Sequence, residues 1–369
     1  MNAPPPSVRF DAVESADYRS YRRFVNAARN WDVEKGYVEL HNAFQREAEA
    51  EGTAPQTSDD ALAILDRLDL FSTYAFLFRN IQRLKYAGHG YGIMPYVLEQ
   101  QDTLLPQLEA IAAEGVAKGL LHLDAGVPVP DYFKLVDFHQ HPGGVDGNPL
   151  AGLQYELARR TRTHSRVFAN QLYRDIFSYL PKGQTFDRVL DWGTSFGAGL
   201  RTWLHDNPGS EGHGVDISAP CLKLAYARAR EQGVSANWWQ QDLEHLGFPD
   251  NHFDMSFFAY MLHELPPGRT PALLKEVHRV LKPGGYFIGM ELVYVEGSPF
   301  QNAIADLEGW LNDEPFMASC FNTDYEAVGK KAGFSEVMIT RFTEMSDGAM
   351  PADKRIPPRS TWNIFRFRK

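Results

Sequence analysis

The order of apolar runs predicts an α/β protein: a doubly wound, mostly parallel sheet preceded by a mostly α-helical N-terminal domain. Three observations carry this. Arg188-Val-Leu-Asp-Trp-Gly-Thr-Ser-Phe-Gly-Ala-Gly199 reads as a strand, a glycine turn and the start of a helix, with Val189 and Leu190 as the apolar run of a buried parallel strand. Further short apolar runs follow it and alternate with helical stretches, the pattern of strand–helix–strand units. The front half instead repeats its apolar residues at helical spacing.

In chain order, Tyr18, Tyr21, Phe24, Val25 and Ala28 mark one helix face, and Glu51–Ser58, with its Gly, Thr, Pro and Ser, reads as a loop. Ser58-Asp-Asp-Ala caps the next helix, whose apolar positions Leu62, Leu65, Leu68 and Phe71 continue through Tyr74, Phe78, Ile81 and Leu84. Gly88-His-Gly-Tyr-Gly92 ends it, since each glycine inside a helix costs about 1 kcal/mol. Another helix covers Pro95 to Lys118, the Gly-, Pro- and Asp-rich stretch 120–149 is a linker, and a helix from Leu150 to Leu180 leads into the sheet. The division expected is a helical domain over 1–149, with linker 120–149, and a sheet domain over 150–369. The aromatic residues Tyr74, Phe76, Phe78, Tyr86, Tyr91 and Tyr96 fit a helical core or a dimer face, and also an aromatic substrate pocket.

Composition narrows the function classes. A chain of 369 residues has length for two domains and a sizeable core. No run is long enough to span a membrane, and Met1-Asn-Ala-Pro-Pro-Pro-Ser has no apolar core of the kind a secretion signal needs. Two cysteines, Cys221 and Cys320, fit a reducing cytoplasm better than a disulfide framework. A net charge of −10 argues against a phosphate-backbone partner. A helical front is also a surface on which two copies can pair, so a homodimer is one expectation.

The remaining strands follow the glycine turn. Gly212-His-Gly-Val-Asp216 is the second, Trp238–Asp242 the third and Phe253-Asp-Met-Ser-Phe-Phe-Ala259 the fourth. Val280-Leu-Lys-Pro-Gly-Gly-Tyr-Phe-Ile-Gly289 is a helix end, a turn and the fifth; Val337–Phe342 and Trp362–Phe367 complete seven. Met345–Arg359 reads as a surface connection and Gly297–Asn322 as a long, aromatic, irregular insertion. Gly193, Gly197 and Gly199 do not follow the G-x-G-x-x-G order of dinucleotide sites. The free N–H groups at the start of the Ala198–His205 helix still mark a place for a nucleotide-like ligand, and Asp216 ends the second strand with a carboxylate suited to ribose hydroxyls.

Val-Leu-Asp-x-Gly-x-x-x-Gly (189–197), Gly-Val-Asp (214–216), Gln-Asp-Leu (241–243) and Val-Leu-Lys-Pro-Gly-Gly (280–285) together resemble the class I S-adenosylmethionine (SAM)-dependent methyltransferases. The likeness covers roughly the C-terminal half; Ser195, where many members carry glycine, and the bulky Trp192 depart from it. The resemblance implies a Rossmann-like methyltransferase sheet whose last two strands pair antiparallel at its edge. It implies SAM as cofactor and a small-molecule methyl acceptor, the product being S-adenosylhomocysteine (SAH). Asp191, Trp192, Gly193, Thr194, Ser195, Gly197, Asp216, Ile217, Asp242, Leu243 and Ala259 are then the cofactor residues. Asp216 would take the ribose, Asp242 the adenine amino group beside Leu243, and Gly193 with its neighbours the methionine part.

After the fourth strand, Tyr260-Met-Leu-His-Glu-Leu265 lies at the rim where ligands bind in such sheets, so Tyr260, His263 and Glu264 are candidate catalytic residues. His263 could equally be a helix cap or a packing residue. His139-Gln-His141 sits in the linker; with Asp137 it has metal-ligand residue types, but no Cys/His pair at zinc spacing accompanies it, and no metal is assigned. His141 is instead a second candidate base and His139, Glu291 and Trp310 are candidate substrate contacts. Methyl transfer is an in-line displacement in which the protein mainly aligns the reactants. A hydroxyl or ammonium nucleophile needs a base, for which His263 or His141 serves; a thiol needs only positioning, and Tyr260 or Phe196 could face the sulfonium. A SAM-binding protein without methyl transfer, or a protein methyltransferase, is the alternative.

Overall fold

The computed structural model describes residues 9–160, 170–342 and 362–369. The expectation for Met345–Arg359, and the middle of the helix expected over 150–180, lie outside the described residues. The strands are β1 (Leu121–His122), β2 (Arg188–Trp192), β3 (Glu211–Asp216), β4 (Asn237–Gln240), β5 (Phe253–Ala259), β6 (Leu281–Leu292), β7 (Glu336–Arg341) and β8 (Trp362–Arg368). They form one sheet in the order β1-β4-β3-β2-β5-β6-β8-β7. β8 runs antiparallel to both β6 and β7, and every other pair is parallel. The seven expected strands are present, with the antiparallel pair at the edge.

The eighth strand, β1, comes from the stretch read as linker. It is two residues long, too short for alternation to register, and is recruited by β4: Leu121 pairs with Trp238 and His122 with Trp239. Pairing of β5 with β6 jumps from Phe253–Leu281 to Met255–Tyr286, so the Lys-Pro-Gly-Gly turn loops out of the ladder.

The strands sort their side chains by the two-residue period of a sheet buried on both faces. Tyr286, Ile288 and Met290 of β6 join one apolar cluster with Leu172, Leu200 and Leu222. Phe287 joins Leu273, Leu274 and Val277 on the other face. The first cluster continues into the front half through Tyr18, Tyr86, Tyr96, Val97 and Leu108.

The front half is helical, as its periodicity indicates, but three boundaries differ. The helix expected to run from Ser58 past Leu84 is two, Ser58–Leu65 and Asp69–Ala87. Leu68 is extended there (ψ 117); Leu65 and Leu68 keep their i, i+3 spacing across the break, which hides it from the apolar pattern. The helix expected over Pro95–Lys118 is likewise two, Ile93–Glu99 and Gln101–Ala117. The insertion expected to be irregular holds the helices Pro299–Leu311 and Met317–Phe321. Its Phe300, Ala303 and Ile304 are buried with Tyr37, Phe44, Phe71 and Tyr74, the rings of Phe44 and Phe300 lying 4.9 Å apart. Packing against the front helices supplies the order its own residues lack.

One tight contact tests this packing. A Cβ on Gly289 of β6 would lie 2.2 Å from the Phe258 ring of β5, whereas Gly209 faces open space. Gly289→Ala should lower the unfolding free energy by about 2 kcal/mol in urea titration, as overpacked cores do, and Gly209→Ala should leave it nearly unchanged.

Candidate functional site

The turn after β2 is built from left-handed residues: Gly193 (φ 62), Ser195 (φ 51) and Gly197 (φ 75). A Cβ on Gly193 would meet Met261 at 2.9 Å, and one on Gly197 would meet the Trp238 ring at 2.4 Å, so neither position takes a side chain. Ser195 bears the left-handed strain of a non-glycine residue, of order 1 kcal/mol. Its N–H donates to Asp216 Oδ2 at 2.7 Å, while Asp216 Oδ1 accepts from the Ser218 N–H at 2.9 Å. Thr194 N–H also donates to the Val215 carbonyl at 3.0 Å. The turn is thus fastened to the end of β3. Beneath it Asp191 is buried and accepts from Thr194 Oγ1 (2.6 Å) and the Leu200 N–H (3.2 Å). Burial pushes its carboxyl up to about 7 against those two bonds, and burial also raises Asp216 against its backbone donors.

A cavity of about 260 Å³ opens from this turn. One wall carries Asp191, Gly193, Thr194, Ser195, Asp216, Ile217, Asp242, Leu243 and Ala259; the cavity reaches past Tyr260, His263 and Glu264 to Phe78 and Gln82 of the front helices and to Glu314 and Met317.

Two histidines and three carboxylates meet at its rim. His139 Nε2 lies 2.9 Å from Glu264 Oε1 and its Nδ1 2.8 Å from Glu314 Oε1. His263 Nδ1 lies 2.7 Å from Glu291 Oε1, and its Nε2 is 3.6 Å from Glu264 and 3.9 Å from Glu314. Glu291 Oε2 accepts the Leu262 N–H at 2.7 Å. Burial would lower both imidazoles, but Glu314 and Glu264 overcome it at His139, which rises to about 9, and Glu291 with Glu264 hold His263 well above its ordinary value. Glu264 is buried as well, which opposes its charge, yet the two imidazoliums hold its carboxyl below the usual range.

Most expected site residues converge on this cavity, and four do not sit as expected. Trp192 is fully buried among Leu190, Phe253 and Phe287 on the sheet's far face, because a strand's successive side chains alternate and Asp191 takes the cavity side. Gly197 does not line the cavity; it packs on Trp238 and starts the helix. Glu291 is wholly buried behind His263 and holds it, so it is not placed to touch a substrate. Trp310 is 77% exposed, since Glu308 of its helix and Asn312, which caps the helix, take the cavity face. Phe196 lines the cavity, but the Arg159 guanidinium already lies 5.4 Å over its ring. Tyr260 (φ 56) lines it with its ring 4.3 Å from Trp362. Of the front aromatic residues Phe78 lines the cavity, Tyr74, Tyr86 and Tyr96 are core, and Phe76 is exposed.

His141 differs from the other two histidines. It is 1% exposed, donates from Nε2 to Gln154 Oε1 at 2.8 Å, and stacks on Tyr86 at 4.6 Å. Burial pushes it down to about 4, so it is neutral.

Sequence reasoning missed Glu314, Arg159, Tyr155 and Tyr132, all of which line the cavity. Arg159 lies in the last turn of the Ala151–Arg160 helix, where its Nη1 donates to the Tyr173 hydroxyl at 3.2 Å. None stands in a motif. They reach the site by packing, and only a three-dimensional arrangement could reveal them.

A methyltransferase-domain family matches residues 189–285. An uncharacterized methyltransferase of Synechocystis sp. is 31% identical over 150 residues, 41% of this chain and 68% of that relative. A ubiquinone/menaquinone biosynthesis C-methyltransferase of Rhizobium meliloti is 26% identical over 224 residues, 51% of this chain and 82% of the relative. The phosphoethanolamine N-methyltransferase 2 of Haemonchus contortus, solved with S-adenosyl-L-methionine, is 20% identical with a TM-score of 0.41 over 54% of this chain and 52% of that one. The chain belongs to the class I SAM-dependent methyltransferases.

The raised Asp191 has a consequence for stability. Its folded pKa of about 7 exceeds the ordinary 3.8, so between those values the folded chain keeps a proton that the unfolded chain has released. This group's contribution therefore falls as pH rises through that window, by up to about 1.4 kcal/mol per unit. Asp191→Asn, which keeps an acceptor oxygen, should flatten that part of the pH dependence; urea titrations at about pH 5 and pH 8 measure it.

Proposed function

We propose that the chain transfers a methyl group from SAM to a nucleophilic atom of a small molecule, most directly a hydroxyl oxygen. The observation that carries this is one cavity joining the glycine turn to a histidine held by a buried carboxylate. The turn wall suits an adenosyl sulfonium: Gly193 brings bare backbone to the cavity, Ile217, Leu243 and Ala259 offer apolar surface, and Asp216 and Asp242 offer carboxylates. In this reading Asp216 holds the ribose hydroxyls, Asp242 the adenine amino group, and Gly193, Thr194 and Ser195 surround the methionine part.

SAM, when bound, supplies an electrophilic methyl on sulfur and leaves as SAH. The chain's own residues then have three tasks. Tyr260 offers an aromatic face to the cationic side of the cavity. The front helices and the Pro299–Leu311 and Met317–Phe321 helices close the acceptor side against water. His263, with Nδ1–H on Glu291, takes the hydroxyl proton at Nε2 as the oxygen–carbon bond forms. His141 is too weak a base for this, because burial disfavours its protonated form and holds it down at about 4. Relatives named as quinone C-methyltransferases support a small-molecule acceptor. The helical front is proposed to cover the acceptor and to offer a pairing face for a second copy.

The alternative, cofactor binding without transfer, is separated by product. SAH release with a panel of hydroxyl, amine and thiol acceptors is expected, and tight SAM binding with no turnover across the panel would favour the alternative. Asp216→Ala should weaken SAM binding at least about tenfold in calorimetry, the loss of one or two hydrogen bonds to a charged group; unchanged affinity would remove that role.

Because His263 must be neutral to act and its pKa is raised, turnover should climb with pH above neutrality. Glu291→Gln removes the nearest anion and should move that rise to lower pH while reducing kcat, and His263→Ala should lower kcat far more than SAM affinity. Equal turnover in His263→Ala would retire the base assignment.

A further inference from the structure

Arg159 is a cavity-lining cation that meets no carboxylate among the described residues. Its guanidinium lies 5.4 Å over the Phe196 ring and 6.0 Å over that of Tyr173. Its one hydrogen bond among the described residues runs from Nη1 to the Tyr173 hydroxyl, at 3.2 Å. Burial opposes its charge, and the groups that act most strongly on it besides are the hydroxyls of Tyr173, Tyr155 and Tyr260, which are uncharged near neutral pH. Neighbouring arginines are neutralised: Arg160 pairs with Asp11 and Glu156, and Arg228 with Glu156 and Glu231. A guanidinium withdrawn from water with most of its N–H donors unused is costly. The residue is only partly buried where it lines the cavity, so a bound molecule can reach it and bring the missing anion.

Its place in the fold selects that anion. With Asp242 on the adenine, Asp216 on the ribose and the turn after β2 around the methionine part, as proposed, the cofactor runs along the ends of β4, β3 and β2. These strands are consecutive in the sheet and β5 comes next, so the amino-acid end arrives between β2 and β5. Arg159 lies at that point, because Phe196 belongs to the turn after β2 and Tyr260 follows β5. The two rings and the Tyr173 bond hold the guanidinium ready, and its planar fork matches the two oxygens of a carboxylate. We propose that Arg159 recognises the carboxylate of the cofactor's methionine part. It is then the residue by which the site selects SAM and SAH over adenosyl sulfur compounds that lack this group. The inference rests on the methyltransferase reading and deepens it.

Calorimetry with SAH and decarboxylated SAH, which differ only at the carboxylate, tests it. The wild type should bind SAH at least about tenfold more tightly, the effect of a hydrogen bond between charged groups. Arg159→Met keeps a long side chain against Phe196 without charge or donors. It should bring the two ligands within about threefold by weakening SAH alone. Arg159→Lys, the variant to use where Arg159→Met does not fold, keeps a charge without the planar fork and should show an intermediate preference. Equal binding of the two ligands by the wild type would overturn the inference. An undiminished preference in Arg159→Met would overturn it as well, and a fall in turnover alongside would assign the guanidinium to an anionic acceptor. So would a loss in Arg159→Met shared equally by both ligands, which marks a residue that only holds the fold. Failure of the wild type to bind either ligand would overturn the methyltransferase reading instead.

Discussion

The carboxylate of Asp216 carries the site, because it fixes the turn after β2 and the start of the helix after β3 at the point where the β2–β3 ladder ends. One oxygen receives the Ser195 N–H from the turn after β2, and the other receives the Ser218 N–H at the start of the next helix. The first bond offsets the left-handed backbone of Ser195, and the Thr194 N–H to Val215 carbonyl bond keeps the turn against β3. With the turn fixed, the chain ends of β2, β3 and β5 face one crevice. β2 has β3 on one side and β5 on the other, which is where the winding of an open sheet reverses and ligands bind.

A second constraint sits across the cavity. His139, Glu264, His263, Glu291 and Glu314 come from four separate stretches of chain, and each carboxylate is partnered by an imidazole. Buried ion pairs of this type contribute little net stability against an apolar alternative, yet they are costly to break one partner at a time. Their effect here is geometric. They tie the segment around His139 and the loop before Met317 to the rim of β5, which shapes that part of the cavity.

The three histidines at this site divide by environment alone. His139 and His263 face carboxylates and are held as cations or strong bases. His141 faces an amide, a tyrosine ring and positive neighbours, and stays neutral. The same residue type is therefore held charged at two places and neutral at a third within one cavity, as burial and local charge dictate.

The strands, the glycine turn and the acidic strand ends were legible in the amino-acid order because each depends on local pattern: alternation, glycine at left-handed positions, and carboxylates one step after an apolar run. The wall proposed for SAM follows from those, since Gly193, Ser195, Asp216, Asp242 and Ala259 all sit at or just past strand ends. What needed the tertiary structure was every feature made by side chains distant in sequence. Trp192 faces the core because β2 is covered on both faces. Trp310 faces solvent because its helix packs by Phe300 and Ile304. Glu291 serves His263, a residue 28 positions earlier, and Glu314 reaches the cavity with no motif around it. Local sequence determines backbone shape through sterics and periodicity; which buried charge meets which is decided only when packing brings the elements together.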